Sequence, residues 1–349
     1  MTQVAPSYYS NKISALADLF GAKSVQVEER VVVVDGRRFP VVDDVIVLLE
    51  PGMYTRQLAD WLGAAPDRVI ESRNPFASDI QTTFSQEWLA YPEVLTEHED
   101  EFRQYFDLIE MGSLEGATVC DLGCGSGRWS YYLHKRCRRL ILVDFSDAIF
   151  VARRNLQDST NTLFFMGDLT NLPFRRQFAD MVICLGVLHH LPVPALYAVR
   201  RLRTMAPRIL VYLYYALDNR PAHFGIALRV VTAIRWGTRR LRRPAARNAL
   251  AWAITVSVYA PIVAVGATAA RLRLGKFVPL HDTYKGKSLR RIRQDVYDRF
   301  FTRIEQRVTK ASILKLCDTY GTVTISPNLP YWHFLCETAP SDLLLRDRP

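Results

Sequence analysis

Apolar positions along this chain follow two rhythms. From Ala117 to Tyr215 five short apolar runs recur: ATVCDLG, RLILVDF, TLFFMGDL, ADMVICLG and RILVYLYY. The stretches between them carry apolar residues at helical spacing, which predicts helices over Arg128–His134, Asp147–Asn155 and Pro194–Met205. Short apolar strands alternating with helices build a mostly parallel sheet covered on both faces, a doubly wound α/β fold. Upstream, Phe102, Tyr105, Phe106 and Ile109 predict a helix over Glu97–Glu110. Downstream, a helix over Lys310–Tyr320 precedes TVTISPN and YWHFLCET, a closing pair of strands.

Before this core, VQVEERVVVVDGRRFPVVDDVIVLLE reads as β-branched strands broken at Asp35-Gly36, a hairpin signal. A helix over Tyr54–Leu62 follows. The divisions are a small β-rich module over 1–65, a linker over 66–96, the core over 97–217, a helical insertion over 218–300 and the returning end of the core over 301–349.

Charge singles out the insertion. The 349-residue chain carries a net +10, yet Asp218 to Lys310 hold 20 Lys+Arg against 5 Asp+Glu, a local +15 that leaves −5 for the remainder. Such an excess points to an anionic partner, either a membrane surface or a nucleic acid. Within it, the 23 residues from Asn248 to Ala270 are uncharged, long enough to span a bilayer. Arg239, Arg240, Arg242, Arg243 and Arg247 precede the run, and Arg271, Arg273 and Lys276 follow it. Positive residues favour the cytoplasmic side, so both ends belong there, and a single crossing would strand the closing strands. Pro261 predicts a kink or a re-entrant break. Phe224, Leu228, Val231 and Ile234 predict a helix lying in the membrane interface. Residues 222–276 are therefore a candidate membrane-docking lid; a buried helical hairpin over the active site is the alternative. The six cysteines (120, 124, 137, 184, 317 and 336) form no CxxC pair and read as reduced thiols. With no signal-peptide pattern in the first twenty residues, the expectation is a cytoplasmic protein, with the inner membrane face as its candidate surface.

The chemistry begins at VCDLGCGSGRWS. Gly123, Gly125 and Gly127 leave the backbone bare where the first core strand ends, the place where ligands bind in open α/β sheets. Dinucleotide enzymes also use a glycine loop and an acidic residue at the second strand's end. Here the spacing is GxGxG, not GxGxxG, and Asp121 precedes it.

In order and spacing, DLGCGSGRW, LVDFSDAIF, GDLTNLPF and FADMVICLGVLHHLP resemble the class I S-adenosylmethionine-dependent methyltransferases, above all their small-molecule, quinone-biosynthesis-like branch. The resemblance covers Thr118 to Tyr215; Ala206-Pro207 replaces the Gly-Gly turn often found before the fifth strand. It implies a Rossmann-like fold and S-adenosylmethionine as cofactor. It further implies that Gly123, Gly125 and Gly127 cradle the methionine part, Asp121 orients the loop, Asp144 takes the ribose hydroxyls, and Asp168 with Leu169 holds the adenine edge. DGRRFPVVDDVIVLL resembles the end of zinc-ribbon-type modules that accompany some of these enzymes, but residues 1–119 hold no cysteine, so no metal is expected.

Methyl transfer asks the protein to align an acceptor and exclude water. A base for a hydroxyl or amine acceptor would come from His189 or His190, although either, His190 above all, could instead hold its loop by hydrogen bonds. Tyr284, Arg299, Tyr331, Trp332 and His333 are candidates for the acceptor site. The preferred acceptor is a hydrophobic or lipid-linked small molecule. The rivals are an RNA methyltransferase using the basic insertion, with nucleic acid disfavoured because the arginines do not interleave with exposed aromatics, and a non-catalytic cofactor-binding or membrane-scaffold protein.

Overall fold

The computed structural model describes residues 8–63, 75–238, 240–241 and 243–338. Arg239 and Arg242 of the basic flank, residues 66–74 of the expected linker and residues 339–349 lie outside the described residues. The chain opens with α1 (Ile13–Phe20), β1 (Val25–Val27), β2 (Val31–Val34), β3 (Arg37–Val42), β4 (Val45–Val47), α2 (Arg56–Leu62), α3 (Pro75–Ala90) and α4 (Glu97–Tyr105). The core follows: β5 (Thr118–Leu122), α5 (Ser130–Leu133), β6 (Arg139–Asp144), α6 (Ala148–Asn155), β7 (Thr162–Met166), β8 (Met181–Leu185), α7 (Ala195–Leu202) and β9 (Arg208–Tyr212). The insertion contributes α8 (Ala222–Thr238), α9 (Pro244–Ile254), α10 (Ala260–Arg271), α11 (His281–Tyr284) and α12 (Leu289–Phe301). Then α13 (Lys310–Leu314), β10 (Thr322–Ile325) and β11 (His333–Glu337) complete the core.

Among the described residues eleven strands form one sheet, in the order β1-β2-β3-β4-β7-β6-β5-β8-β9-β11-β10. From β4 to β9 the neighbours are parallel. Alternate residues feed two cores: Cys120, Leu122, Ile141 and Val143 face one side, and Val119, Leu140 and Leu142 the other. Successive side chains point to opposite faces, and here both faces are covered, which explains the unbroken apolar runs.

The N-terminal block departs from the sequence expectation. Its hairpin turns at Asp35-Gly36, both at positive φ as a two-residue turn requires. It is not a module set apart, because β4 pairs in parallel with β7, Ile46 opposite Phe165, and extends the main sheet. The segment compared with a zinc-ribbon end is thus the β3–β4 hairpin at the junction. The expected linker also contains a long helix, α3. Its Asp, Gln, Thr and Ser residues hide the apolar spacing, because it is packed on two sides. The expected helices over Glu97–Glu110, Arg128–His134 and Lys310–Tyr320 are shorter, at α4, α5 and α13.

Pro261 does not break the insertion's apolar helix. A π-helical turn at Thr255–Tyr259 joins α9 to α10, giving a continuous helix over Pro244–Arg271. The wider turn shifts the hydrogen-bond register where Pro261 lacks an N–H, so the chain continues past it. The insertion leaves and re-enters the core at one place: Tyr215 pairs with Val308, the Ala216 N–H donates to the Val308 carbonyl, and the Val308 N–H donates to the Tyr214 carbonyl.

Candidate functional site

The order β6-β5-β8 puts the topological switch between β5 and β8, and a cavity of about 370 Å³ opens at their carboxyl ends. That size suits a small molecule. The loops after β5, β6, β7 and β8 line it with Gly123, Asp144, Phe145, Asp168, Leu169 and Gly186, and α3 covers it with Ile80, Gln81, Phe84 and Trp88.

The glycine loop is bare because its neighbours press on it. Gly123 has φ +72°, and a Cβ there would lie 2.4 Å from a Val187 methyl; at Gly125 a Cβ would lie 2.7 Å from the Trp88 indole. Gly127 packs on Ala152 of α6 and on Leu156 just past its end. Of the expected cofactor residues, Gly123, Asp144, Asp168 and Leu169 line the cavity. Gly125 and Gly127 lie behind the wall, and so does Asp121, which is buried and accepts a hydrogen bond from Ser130 Oγ at 2.7 Å. Burial pushes Asp121 up to about 7, against the lowering effect of that bond.

Asp144 uses both carboxylate oxygens. Oδ2 accepts from the Gly125 N–H at 2.8 Å, and Oδ1 accepts from the Ser146 N–H and hydroxyl at 2.8 and 2.7 Å. Burial raises its pKa, and these bonds oppose the rise. An ionised carboxylate has lone pairs beyond those in use, so ribose hydroxyls remain within its capacity. Asp168 Oδ1 accepts from the Thr170 N–H and hydroxyl, which fixes the turn after β7.

The bare loop, the carboxylate at the end of β6 and the apolar walls (Phe145, Leu169, Leu185) fit S-adenosylmethionine, with its sulfonium, ribose and purine. Arg128 was not among the expected residues. It follows Gly127 and stacks over Trp88 and Trp129. Its buried Nη1 has no hydrogen-bond partner among the described residues, an orphan suited to a carboxylate.

The cover is latched to this site. Gln81 Nε2 donates to the Phe145 and Met53 carbonyls at 2.8 and 3.1 Å. Ser85 and Thr55 hydroxyls donate to the Asp147 carboxylate. On its other side α3 meets the insertion: Gln294 Nε2 donates to Glu87 Oε1 at 3.2 Å, and the Tyr297 hydroxyl donates to Gln86. Burial, with Asp298 nearby, drives the Glu87 pKa well above the usual carboxylate range. The layer directly over the cavity is α3, and the insertion backs it.

The two histidines part company. His190 lines the cavity 5.3 Å from the Phe84 ring. Its Nδ1 donates to the Ile304 carbonyl at 2.7 Å, which fixes the tautomer and leaves Nε2 as the lone-pair nitrogen, without a hydrogen-bond partner among the described residues and 3.8 Å from Asp298 Oδ1. His189 does not line the cavity; it is fully buried and stacks on Tyr214 at 4.0 Å. Burial, with His190, Arg307 and Arg235, holds its pKa well below normal, so it is neutral.

None of Tyr284, Arg299, Tyr331, Trp332 and His333 lines this cavity. Tyr284 packs on Tyr259 inside the insertion, with Arg299 beside it. Trp332 donates its indole N–H to Asp218, Tyr331 packs on Tyr215, and His333 is buried against Asp107 at 2.6 Å. For Tyr331, Trp332 and His333 the reason is topological: β11 lies between β9 and β10 near the far edge of the sheet, away from the β5–β8 crevice.

Comparison with known proteins bears on this site. Residues 119–206 match the Methyltransferase domain family. The chain is 27% identical over 161 residues to the probable tRNA methyltransferase 9B of Bos taurus, covering 45% of this chain and 30% of that one. It is 34% identical over 94 residues to the ubiquinone biosynthesis O-methyltransferase of Nitrosomonas europaea, covering 26% and 40%. It thus spans less than half the length of these curated relatives. Among solved structures, magnesium protoporphyrin IX methyltransferase from Synechocystis, with bound SAH, aligns with a TM-score of 0.41 at 15% identity, covering 75% of this chain and 98% of that one. Residues 119–206 are a methyltransferase domain on an α/β fold, with S-adenosylmethionine as cofactor.

Proposed function

We propose that the whole chain is an S-adenosylmethionine-dependent methyltransferase acting on a hydrophobic or lipid-linked small molecule. The observation that carries this reading is one apolar-walled cavity that runs from Asp144 and Asp168 to His190 under the cover of α3. When bound, the cofactor supplies an electrophilic methyl group. Gly123 gives the backbone room for it, Asp144 accepts its hydroxyls, and Arg128 offers a cation to its carboxylate. Phe84 and Trp88 exclude water and give an acceptor an apolar wall. His190 Nε2 takes the acceptor's proton, its tautomer held by the Ile304 carbonyl.

A second reading, methylation of RNA, is favoured by the likeness to the tRNA methyltransferase and by the basic insertion. Against it, α3 roofs the cavity, and a base would have to be turned out of its strand to enter. The test supplies methyl-labelled S-adenosylmethionine to the purified chain with cell extract split into lipid, RNA and polar fractions, with Asp144→Ala as control. Label in the lipid fraction that is lost in the control is expected; label in RNA would overturn the acceptor assignment.

A further inference from the structure

Helices α8 and α9–α10 turn apolar surface outward, with Arg229 the exposed charge on α8 and none along α9–α10 from Asn248 to Ala270, and we propose that this surface docks flat on an anionic lipid bilayer. The continuous helix Pro244–Arg271 has 28 residues, about 42 Å of helix. Only 22% of its most apolar stretch is buried. The buried seam is narrow and runs through Arg247, Ala251, Thr255, Tyr259 and Gly266. The other side shows Trp252, Val256 and Val265, the last 61% exposed, and carries no charge from Asn248 to Ala270. Beside it α8 exposes Ile226, Val230, Ile234 and Trp236, between 49% and 59% each. Both helices pack on α12, and His223 at the start of α8 hydrogen-bonds the Phe277 carbonyl just past α10. The apolar positions of α8 that face outward are therefore these four; Phe224 of the expected stripe points inward. A helix pair facing water carries charge on its outer side; this one carries none along its longer helix.

The hydroxyls on these helices need no water. Thr232, Thr255, Ser257 and Thr268 each donate to the carbonyl four residues back in their own helix. A polar group satisfied this way loses little on entering an apolar medium.

Charge chooses the lipid. From Asn219 to His281 the chain has no Asp or Glu and eleven Lys or Arg. Arg240 and Arg243 are exposed at one end of the apolar strip, and Arg271, Arg273 and Lys276 at the other. Cations bracketing an aliphatic strip match headgroup phosphates above acyl chains. The helix lies along the surface and does not cross it, because its seam is fixed to α11 and α12. A Cβ on Gly266 would sit 2.4 Å from His281 Cβ, so the backbone of α10 lies directly against the His281 side chain of α11. RNA is the poorer partner, since an aliphatic strip gains nothing from phosphodiesters and bases stack on aromatics. Docking also has a consequence for the site: α12 lies between this layer and α3, so the bilayer would meet the cavity from its covered side.

The test is flotation of the full chain with phosphatidylcholine vesicles, with and without phosphatidylglycerol, alongside filter binding to bulk tRNA. The wild type should float with phosphatidylglycerol vesicles and about tenfold less with phosphatidylcholine alone or in high salt. Val256→Glu with Val265→Glu, both at exposed sites, should abolish flotation while the thermal melt stays unchanged. Arg271→Glu with Arg273→Glu should weaken it by about tenfold or more. Wild type left at the bottom of the gradient, flotation unaffected by the two glutamates, or binding to tRNA without binding to vesicles would each overturn the proposal. The assay uses neither cofactor nor acceptor, so its failure is separate from a failure of the methyl-transfer reading.

Discussion

The Asp144 carboxylate accepts the Gly125 N–H at 2.8 Å, and this one bond fastens the end of the second core strand to the glycine loop of the first. A residue expected to meet the cofactor therefore also shapes the backbone the cofactor meets. Asp144→Ala should weaken S-adenosylhomocysteine binding by about ten- to a hundredfold, the equivalent of one or two charge-assisted hydrogen bonds. Calorimetric titration reads this directly, and an unchanged Kd would remove Asp144 from the binding set.

Two glycines at positive φ should respond differently to alanine. At Gly123 the new methyl meets Val187 at 2.4 Å and adds to backbone strain, whereas at Gly186 nothing lies within 4 Å. Gly123→Ala should cost about 1–3 kcal/mol and Gly186→Ala about 1 kcal/mol. Thermal melts would show the order; equal losses would mean that Val187 yields freely.

Asp121 makes stability depend on pH. Burial raises its pKa from 3.8 to about 7 in the folded chain. Between those values the folded chain holds a proton that the unfolded chain has released. Stability from this group therefore falls as pH rises from about 4 to about 7, at up to about 1.4 kcal/mol per pH unit. Asp121→Asn removes the effect and can keep a bond with Ser130. The variant's melting temperature relative to wild type should climb across that window, and a constant difference would refute the assignment.

His190 and His189 can be separated by kinetics. His190→Gln should lower turnover by about 10²–10⁴-fold for an acceptor that must lose a proton, with S-adenosylhomocysteine affinity intact. His189→Phe keeps the stacking on Tyr214 and should leave turnover near the wild-type value. A loss in His189→Phe as large as in His190→Gln would point to loop geometry in place of base chemistry.

Glu101 binds the core to the insertion. Its carboxylate accepts from Lys287 Nζ at 2.7 Å and Arg291 Nε at 3.0 Å, with Glu101 and Arg291 buried and Lys287 half-buried. Burial pushes its pKa up, but Arg291 and Lys287 outweigh that and hold it well below the usual 4.5. Its contribution is thus in place above about pH 4.5 and is lost as pH falls further. Glu101→Ala leaves Lys287 without its carboxylate and the buried Arg291 with Asp295 alone, and should cost about 3 kcal/mol, read as a lower urea midpoint at neutral pH.

The sequence made some of this legible for a physical reason. Strands β5 to β9 are apolar on both faces, so each appears as a run such as ILVD or MVICL, and the ligand loops sit at their ends. Gly123 and Asp144 were therefore readable as cavity residues from their places at strand ends, and the methyltransferase resemblance added Asp168 and Leu169. Helix α3 was not, because a helix packed on the cavity with one side and on the insertion with the other, partly through buried polar side chains, shows no clean apolar stripe. Gln81, Ser85 and Glu87 are buried by hydrogen bonding, which spacing does not reveal. The β4–β7 pairing joins residues about 119 positions apart, Ile46 and Phe165, and no local pattern records such a partnership. Tyr331, Trp332 and His333 are candidates for the acceptor site in the sequence, yet their positions follow from the order of the last two strands.

The stitch between Tyr215 and Val308 bears on how such a chain can be rebuilt. Because the helical layer departs and returns through neighbouring backbone, it can be cut out and replaced by a short turn without rethreading any strand. Whatever address the layer carries is thus separable from the strand order, although Glu101 and α3 would need new partners where α12 now packs. The same junction would accept a foreign helical segment that supplies partners to Glu101 and Glu87, and with it a new place of work for the chain.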